Sequence, residues 1–579
     1  MLTPSTASNQ APDMVLFGGS VLSGELSDAA SLATDGNRPT ALAVTGGIVS
    51  AIGGEELREL AGPSTRLVNL NDGAVIPGIN DAHLHLMGTA MSLFGYVNIG
   101  SAVAADWGQV AKILRETAVP ADGWIRAHGW DSSTLGPGGT EALLDCREDV
   151  PVVAFDQTGH QLIANRAALA LAGITADTAD PAGGVIARFP DGTPTGLLQD
   201  GAATLMNNAL PDVPRPVLHA ALLKAQTLLH SQGITSLTEP GLGPGSPGLF
   251  DGSGTTGALE LLGDMALANE LSLRVAVLML FAGTGGVSAD AVERGLASGL
   301  GSTYKDRGID PRRLAIAGVK IFSDGIPRSN TAWMREPYGA ECTHGHLVVA
   351  GTSDEERVAE LGRILAMIDD AGLQAGIHAT GDAATETAIE LLGGLGPGRA
   401  RDARHYIIHG AFSSNATLDT MKEMGIGYST NPSIRATAGD LMREVMGEER
   451  FARHQPLRSA LSAGVQLNLA SDSPVTSTDW RRTIIAAVRR STPARPGLAS
   501  DPERITSLEA LAAMTSLPAW QDHAETYKGT LRPGMVADLC VLDGPWPDDD
   551  RIEELLERRV VLTAVGGRVV HEHAPAATP

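Results

Sequence analysis

From residue 74 to residue 474, strand-length apolar runs alternate with helix-length amphipathic stretches, and this alternation constrains the fold more than any other feature. Parallel strands cannot be joined by tight turns, so a repeated β-then-α pattern predicts a parallel sheet with crossover helices. The runs are AVIPGINDAHLHL (Ala74 to Leu86), GITSLTE (Gly233 to Glu239), LRVAVLML (Leu273 to Leu280) and AGVKIFSDG (Ala317 to Gly325), followed by LQAGIHATG (Leu373 to Gly381), HYIIHG (His405 to Gly410), IGYSTNP (Ile426 to Pro432) and VQLNLASDSP (Val465 to Pro474). They number eight, the count that closes a (β/α)8 TIM barrel of class α/β.

The two chain ends read differently. VLFGGSVLSG, ALAVTGGIVSAIGG and TRLVNLNDG near the start, and GTLRPGMVADLCVLDG and VVLTAVGGRVVHE near the end, look like short antiparallel strands joined by Gly-rich turns. We expect residues 1–75 and 526–579 to build one small β-sandwich domain around the barrel of residues 76–525. Met87 to Gln232 is too long for a single crossover helix and holds its own strand-like pieces, WIRAHGWD and VPVVAFDQTGH. It reads as a subdomain, residues 87–232, inserted after the first barrel strand, where it can roof an active site. GLGPGSPGLFDGSG (Gly241 to Gly254) reads as a loop.

Composition narrows the partners. With 43 Lys plus Arg against 67 Asp plus Glu, the formal charge is −24, and no basic stripe interrupts it. Nucleic acid and anionic membrane are therefore poor partners, and a small molecule is the expected one. Three scattered cysteines (Cys146, Cys342, Cys540) make neither a disulfide framework nor a zinc knuckle. No apolar run approaches the roughly 18 residues of a membrane span, and the opening stretch lacks the features of a signal peptide. The expectation is a soluble, cytoplasmic protein, with a homodimer left open.

Three His-x-His pairs occur: His83 and His85, His344 and His346, His571 and His573. Alternate residues of a strand share a face, so His83 and His85 at the end of the first run are expected to point into the barrel. His344 and His346 sit in a turn-rich stretch with no apolar strand before them, His571 and His573 lie beside the C-terminus, and both pairs read as solvated. Lys320 in the fourth run, His378 in the fifth, His409 in the sixth and Asp472 in the eighth also lie near the C-terminal ends of their strands, the rim where barrels of this kind place their chemistry. Imidazole and carboxylate suit a zinc-like ion, which lowers the pKa of a coordinated water to about 7. Asp472 is the candidate proton shuttle. Lys320, partly buried beside cations, tends to lose its proton, and its neutral amine can take up carbon dioxide as an anionic carbamate.

PGINDAHLHL, VKIFSDG, GIHATGD, RHYIIHG and ASDSPV, in this order, resemble the metal-site motifs of the amidohydrolase superfamily, and more narrowly the branch that includes N-substituted formamide deformylase. The likeness covers nearly the whole chain, including GWD, DQTGHQLIANRAAL and GTLRPGMVADLCVLD. It implies His83 and His85 on one divalent ion, carbamylated Lys320 as a bridge, His378 and His409 on a second ion, and Asp472 as ligand and general acid/base. It further implies zinc, two ions per chain with one as the alternative. One departure stands out: relatives of this type commonly carry an acid just before the sixth-strand histidine, where this chain has Ile408.

Asp324 and Arg328 in SDGIPRSNTAW, Trp130 and Asp131 in the insertion, and His160 closing DQTGH are the candidates for touching substrate, Trp130 more as packing than as recognition. The reading is hydrolysis of a C–N bond in an amide, N-formyl or cyclic amide. Alternatives are ester or lactone hydrolysis, a lyase or isomerase reaction, and a barrel that binds without catalysis. The last predicts missing ligands, yet all six positions are filled.

Overall fold

Eight parallel strands stand side by side in chain order: β1 (Ile79–Asp81), β2 (Ile234–Leu242), β3 (Arg274–Met279), β4 (Leu314–Phe322), β5 (Gln374–Ala379), β6 (Tyr406–His409), β7 (Gly427–Thr430) and β8 (Leu467–Leu469). The structure is a computed structural model that describes residues 11–27, 38–136, 139–181, 184–245, 256–283, 285–338, 343–497 and 500–573. Cys342, and the Gly241 to Gly254 loop from Ser246 onward, lie outside the described residues. The strands are buried on both faces because helices cover the barrel outside and side chains fill it inside; all nine residues of β2 are buried, Thr235, Ser236, Thr238 and Glu239 among them. The expected eight-stranded α/β barrel is present.

Register sets Lys320 two residues below His378 and His409 one residue above it, all near the same rim. Lys320 pairs with Gly376, Phe322 with His378, and Ala379 with His409 across β4, β5 and β6. β1 and β8 do not pair directly. The segments just beyond them close the barrel at its C-terminal rim: the Asp472 N–H donates to the His83 carbonyl (2.8 Å) and the His85 N–H to the Ser473 carbonyl (3.0 Å). At the other end Ala513 and Met514 fill the seam, accepting from Leu469 and Asn80.

The first run does not form one strand. Ala74–Pro77 belongs to a different sheet, and the chain enters the barrel only at Ile79. Gly78 lies between, so close to Thr235 that a Cβ there would meet that side chain at 2.2 Å. Strand β1 then ends at Asp81, so His83 and His85 sit in the turn leading into helix α1 (Leu86–Phe94), not on a strand face. The Asp81 carboxylate organises this turn by accepting from the His83 and Ser471 amides, and it ties the ends of β1 and β8 together.

Ala74–Pro77 pairs antiparallel with Leu539–Leu542 and parallel with Ser20–Val21 in a five-stranded sheet that ends with Val560–Val565 and Arg568–Glu572. A second sheet joins Ile48–Gly53, Ala41–Thr45, Met14–Phe17 and Arg66–Asn69. The two sheets share one apolar cluster that includes Leu16, Leu42, Val49, Val75, Leu539 and Leu562. Both chain ends thus contribute to it, although Met14–Phe17 with Arg66–Asn69 is a parallel pair where antiparallel pairing was expected.

Residues after α1 form a six-stranded sheet in the order Gly184–Arg188, Pro194–Asp200, Gln161–Ala164, Val152–Asp156, Ile125–Trp130, Val97–Asn98. It has its own packing, with Trp107, Leu114 and Trp130 in one cluster and Phe155, Leu162 and Leu169 in another. It is pinned over the rim by two contacts: Gln157 Nε2 donates to the Pro474 carbonyl (2.8 Å), and Asp131 meets Arg328 at 2.6 Å. No helix of the described residues is long and apolar enough to cross a membrane.

Candidate metal centre

The rim encloses a cavity of about 820 Å³, and His83, His85, Lys320, His378, His409 and Asp472 all lie on its wall. Asp472 is central. Its Oδ1 stands 3.2 Å from His83 Nε2 and 3.6 Å from His85 Nε2. His83, His409 and Asp472 each offer a donor atom within 4.8 Å of the other two. Two donors sharing a tetrahedral zinc-like ion at about 2.1 Å lie about 3.4 Å apart, so these separations fit one ion.

His409 and Asp472 both adopt left-handed backbone conformations, φ 71° and 57°. Non-glycine residues pay on the order of 1 kcal/mol or more for this, and here it turns the chain sharply off the strand ends.

The electrostatics favour donor lone pairs. Burial, with Lys320 nearby, holds the His83 imidazole far below its ordinary value. His378 is held down by burial and by His409, and burial brings His409 to about 4. Burial tends to raise Asp472, but the imidazoles of His83, His85 and His409 overcome it and keep the carboxyl well below the usual range. Burial lowers Lys320 to about 7 against the pull of Asp472 and Glu239, and its ammonium stands 4.6 Å from the Phe322 ring centre. Neutral imidazoles beside an ionised carboxylate form a donor set that suits a divalent ion.

His409 Nδ1 lies 2.8 Å from Asn431 Oδ1, so this nitrogen donates and Nε2 keeps its lone pair. Asn431 supplies the outer contact that Ile408 cannot make; Ile408 packs in the interior against Leu278 and Tyr406. His378 differs: its Nε2 is 3.1 Å from the Gly325 carbonyl.

The substrate candidates divide. Asp131, Arg328 and His160 line the cavity, whereas Asp324 and Trp130 do not. Fully buried Asp324 accepts from the amides of Trp333, Thr380 and Gly381 and so shapes the loop after β4; burial pushes it up to about 7 against those bonds. Trp130 packs against Trp107 and donates its indole N–H to the Ala154 carbonyl. His160 reaches over from the insertion until its ring centre is 6.3 Å from that of His378. Its Nδ1 is 2.9 Å from Asp200 Oδ1, and although burial opposes it, Asp200 with Asp156 raises the imidazole above its ordinary value. His344 with His346, and His571 with His573, are absent from the cavity wall.

Sequence reasoning missed Glu239, Asn431 and His454. Glu239 ends the run GITSLTE, the position that made the other rim residues candidates; its Oε1 is 3.8 Å from His85 Nδ1 and its Oε2 accepts from the Met87 amide. Asn431 follows β7 directly and was discoverable as the polar residue closing that strand. His454, on the cavity wall, sits in a loop that carries no sequence signal.

A parallel eight-stranded barrel with a histidine–carboxylate cluster at its C-terminal rim defines the class as an α/β-barrel hydrolase of the metal-site type. The chain belongs to the amidohydrolase family, which matches it over residues 66–571. It is 27% identical to N-substituted formamide deformylase of Arthrobacter pascens over 541 residues, 92% of this chain and 95% of that protein. It is 27% identical to YtcJ of Bacillus subtilis (strain 168), covering 93% and 97% of the two chains. Among solved structures it resembles an uncharacterized metal-dependent hydrolase from Pyrococcus horikoshii OT3, with TM-score 0.70, 22% identity and coverage of 93% and 99%. The family expected from the ordered motifs is thereby confirmed.

Proposed function

We propose that this hydrolase cleaves a C–N bond in a small amide, N-formyl or cyclic amide substrate with the help of a divalent metal, zinc being the natural choice for this donor set. The observation that carries the reading is the convergence of His83, His409 and Asp472 within 4.8 Å at the floor of the cavity. The name of the Arthrobacter pascens relative supports the N-formyl option.

His83, His409 and Asp472 would hold one ion, with His85 beside them 3.6 Å from Asp472, and a second ion would be held by carbamylated Lys320 and His378, with His409 between the two. When bound, such an ion supplies Lewis acidity that polarises a carbonyl and acidifies water. Ionised Asp472 takes the proton of the attacking water and hands it to the departing nitrogen, so the C–N bond breaks to give an acid and an amine. His160, braced by Asp200, and Arg328, braced by Asp131, face the cavity from the roof and rim and orient the substrate. A one-ion reading is favoured by a specific contact, because His378 Nε2 already lies 3.1 Å from the Gly325 carbonyl.

Elemental analysis of protein purified without added metal or chelator, combined with a panel pairing each amide with its ester analogue, tests the proposal. Bound metal with amide turnover supports it. Metal-free protein, or ester turnover with none of the amides, overturns it.

A further inference from the structure

The helix that leaves β7, α2 (Pro432–Met446), forms one whole side of the cavity. Its residues Ile434, Ala438 and Leu441 all face the space, and their i, i+4, i+7 spacing puts them on one stripe about 10 Å long, flanked on the cavity wall by Ser433 and Thr437. None of the three packs into a buried apolar cluster among the described residues, although Met446 on the same helix does. The stripe begins three residues after Asn431, which holds His409, so it runs outward from the metal centre. Ile326, Pro327 and Val475 also line the cavity.

Charge on the wall points the same way. Arg328 is engaged by Asp131 at 2.6 Å, and Arg482 lies 3.9 Å from Asp479. Asp440 adds a carboxylate, itself held by the Thr492 hydroxyl and the Ala494 amide. A substrate carboxylate would have to displace Asp131 from Arg328, lie near Asp440, or meet Arg482, whose side chain is 62% exposed, so that solvent would screen the pair to little net gain. An ammonium would have to shed its water onto an apolar stripe, at a cost that Asp440, already hydrogen-bonded, offsets poorly.

We infer that the substrate carries, on one side of the scissile C–N bond, an uncharged apolar substituent about the size of a phenyl ring or a six-carbon chain, seated on Ile434, Ala438 and Leu441. The inference rests on the amide-hydrolase reading, and its test separates the two. Binding of N-hexylurea, 6-ureidohexanoate and 6-aminohexylurea is measured by calorimetry on the holoenzyme and on Leu441→Lys, with thermal melting as the folding control. The neutral urea is expected to bind about tenfold or more tighter than either charged one, and Leu441→Lys to reverse the order between N-hexylurea and 6-ureidohexanoate. Tighter binding of a charged urea to the parent, or an unchanged order in the folded variant, overturns the inference. Should Leu441→Lys fail to fold, Ala438→Asp is read by the same criterion, with 6-aminohexylurea as the ligand that gains. Turnover of N-hexylformamide, followed in the same samples, reports on the amide reading alone.

Discussion

His409 Nδ1 and Asn431 Oδ1 stand 2.8 Å apart, and this contact decides which imidazole nitrogen faces the candidate metal centre. The asparagine is itself anchored, donating from Nδ2 to the Ala470 carbonyl while its backbone carbonyl accepts from Gln455 Nε2. Asn431→Leu frees the ring to adopt the wrong tautomer. Metal affinity is expected to fall about 10- to 100-fold, read by competition with a chromogenic chelator. An unchanged affinity would show that Asn431 only packs.

Asp472 lies within 3.6 Å of both first-turn histidines, so under the proposed function its removal should strike proton transfer and ion binding together. Asp472→Asn is expected to lower kcat by about a thousandfold even with metal in excess, and to lower the metal content of protein purified without supplement. Chelation of the parent enzyme should abolish turnover, with recovery on adding back a divalent ion. Full turnover after exhaustive chelation would exclude metal assistance.

The Asp131–Arg328 pair joins the insertion to the loop after β4 at the cavity mouth, with both side chains only about one-fifth exposed. Each single alanine variant is expected to raise KM, and the double variant to do little more than either. A cycle on kcat/KM should return a coupling of about 1 kcal/mol. Strictly additive effects would mean that the two side chains act independently on substrate.

His230 gives the fold an acid-sensitive point remote from the centre. Its ring bridges the Ile234 carbonyl (3.0 Å) and the Ser272 hydroxyl (2.7 Å), and burial lowers it from 6.5 to about 4. A folded-state value below the unfolded one means that this contribution is fully present above pH 6.5 and is lost as pH falls from 6.5 towards 4. The loss amounts to about 3 kcal/mol. Melting temperatures of the parent and of His230→Gln, compared between pH 7.5 and 4.5, should converge in acid. Parallel curves would sink this assignment.

Much of this was legible in the sequence because its causes are local. Strands buried on both faces are rich in apolar residues, so eight runs announced eight strands, and chemistry-bearing residues at their ends stood out against that background. The break at Gly78 was not legible, because AVIPGIND stays apolar through it and only the approach of Thr235 from β2 makes a glycine necessary. The His-x-His pair was read correctly as converging but for a wrong reason: strand geometry does not aim it, since β1 has ended. Two backbone hydrogen bonds across the β1–β8 seam do that, between residues almost four hundred positions apart. Asn431 and the stripe of Ile434, Ala438 and Leu441 escaped for a related reason. A helix with apolar residues on two faces looks like any core helix until the cavity on one side of it is seen.

The pairing of Ala74–Pro77 with Leu539–Leu542 joins segments about 460 residues apart, immediately before the chain enters the barrel. During synthesis at about 5–20 residues per second, the first of these strands waits roughly 20–90 seconds for its partner. For that interval one side of it offers unpaired amides and carbonyls to any neighbouring chain. The barrel therefore starts from a strand whose anchor arrives last, and the vulnerable moment in the life of this enzyme falls on the ribosome, before its catalytic rim exists.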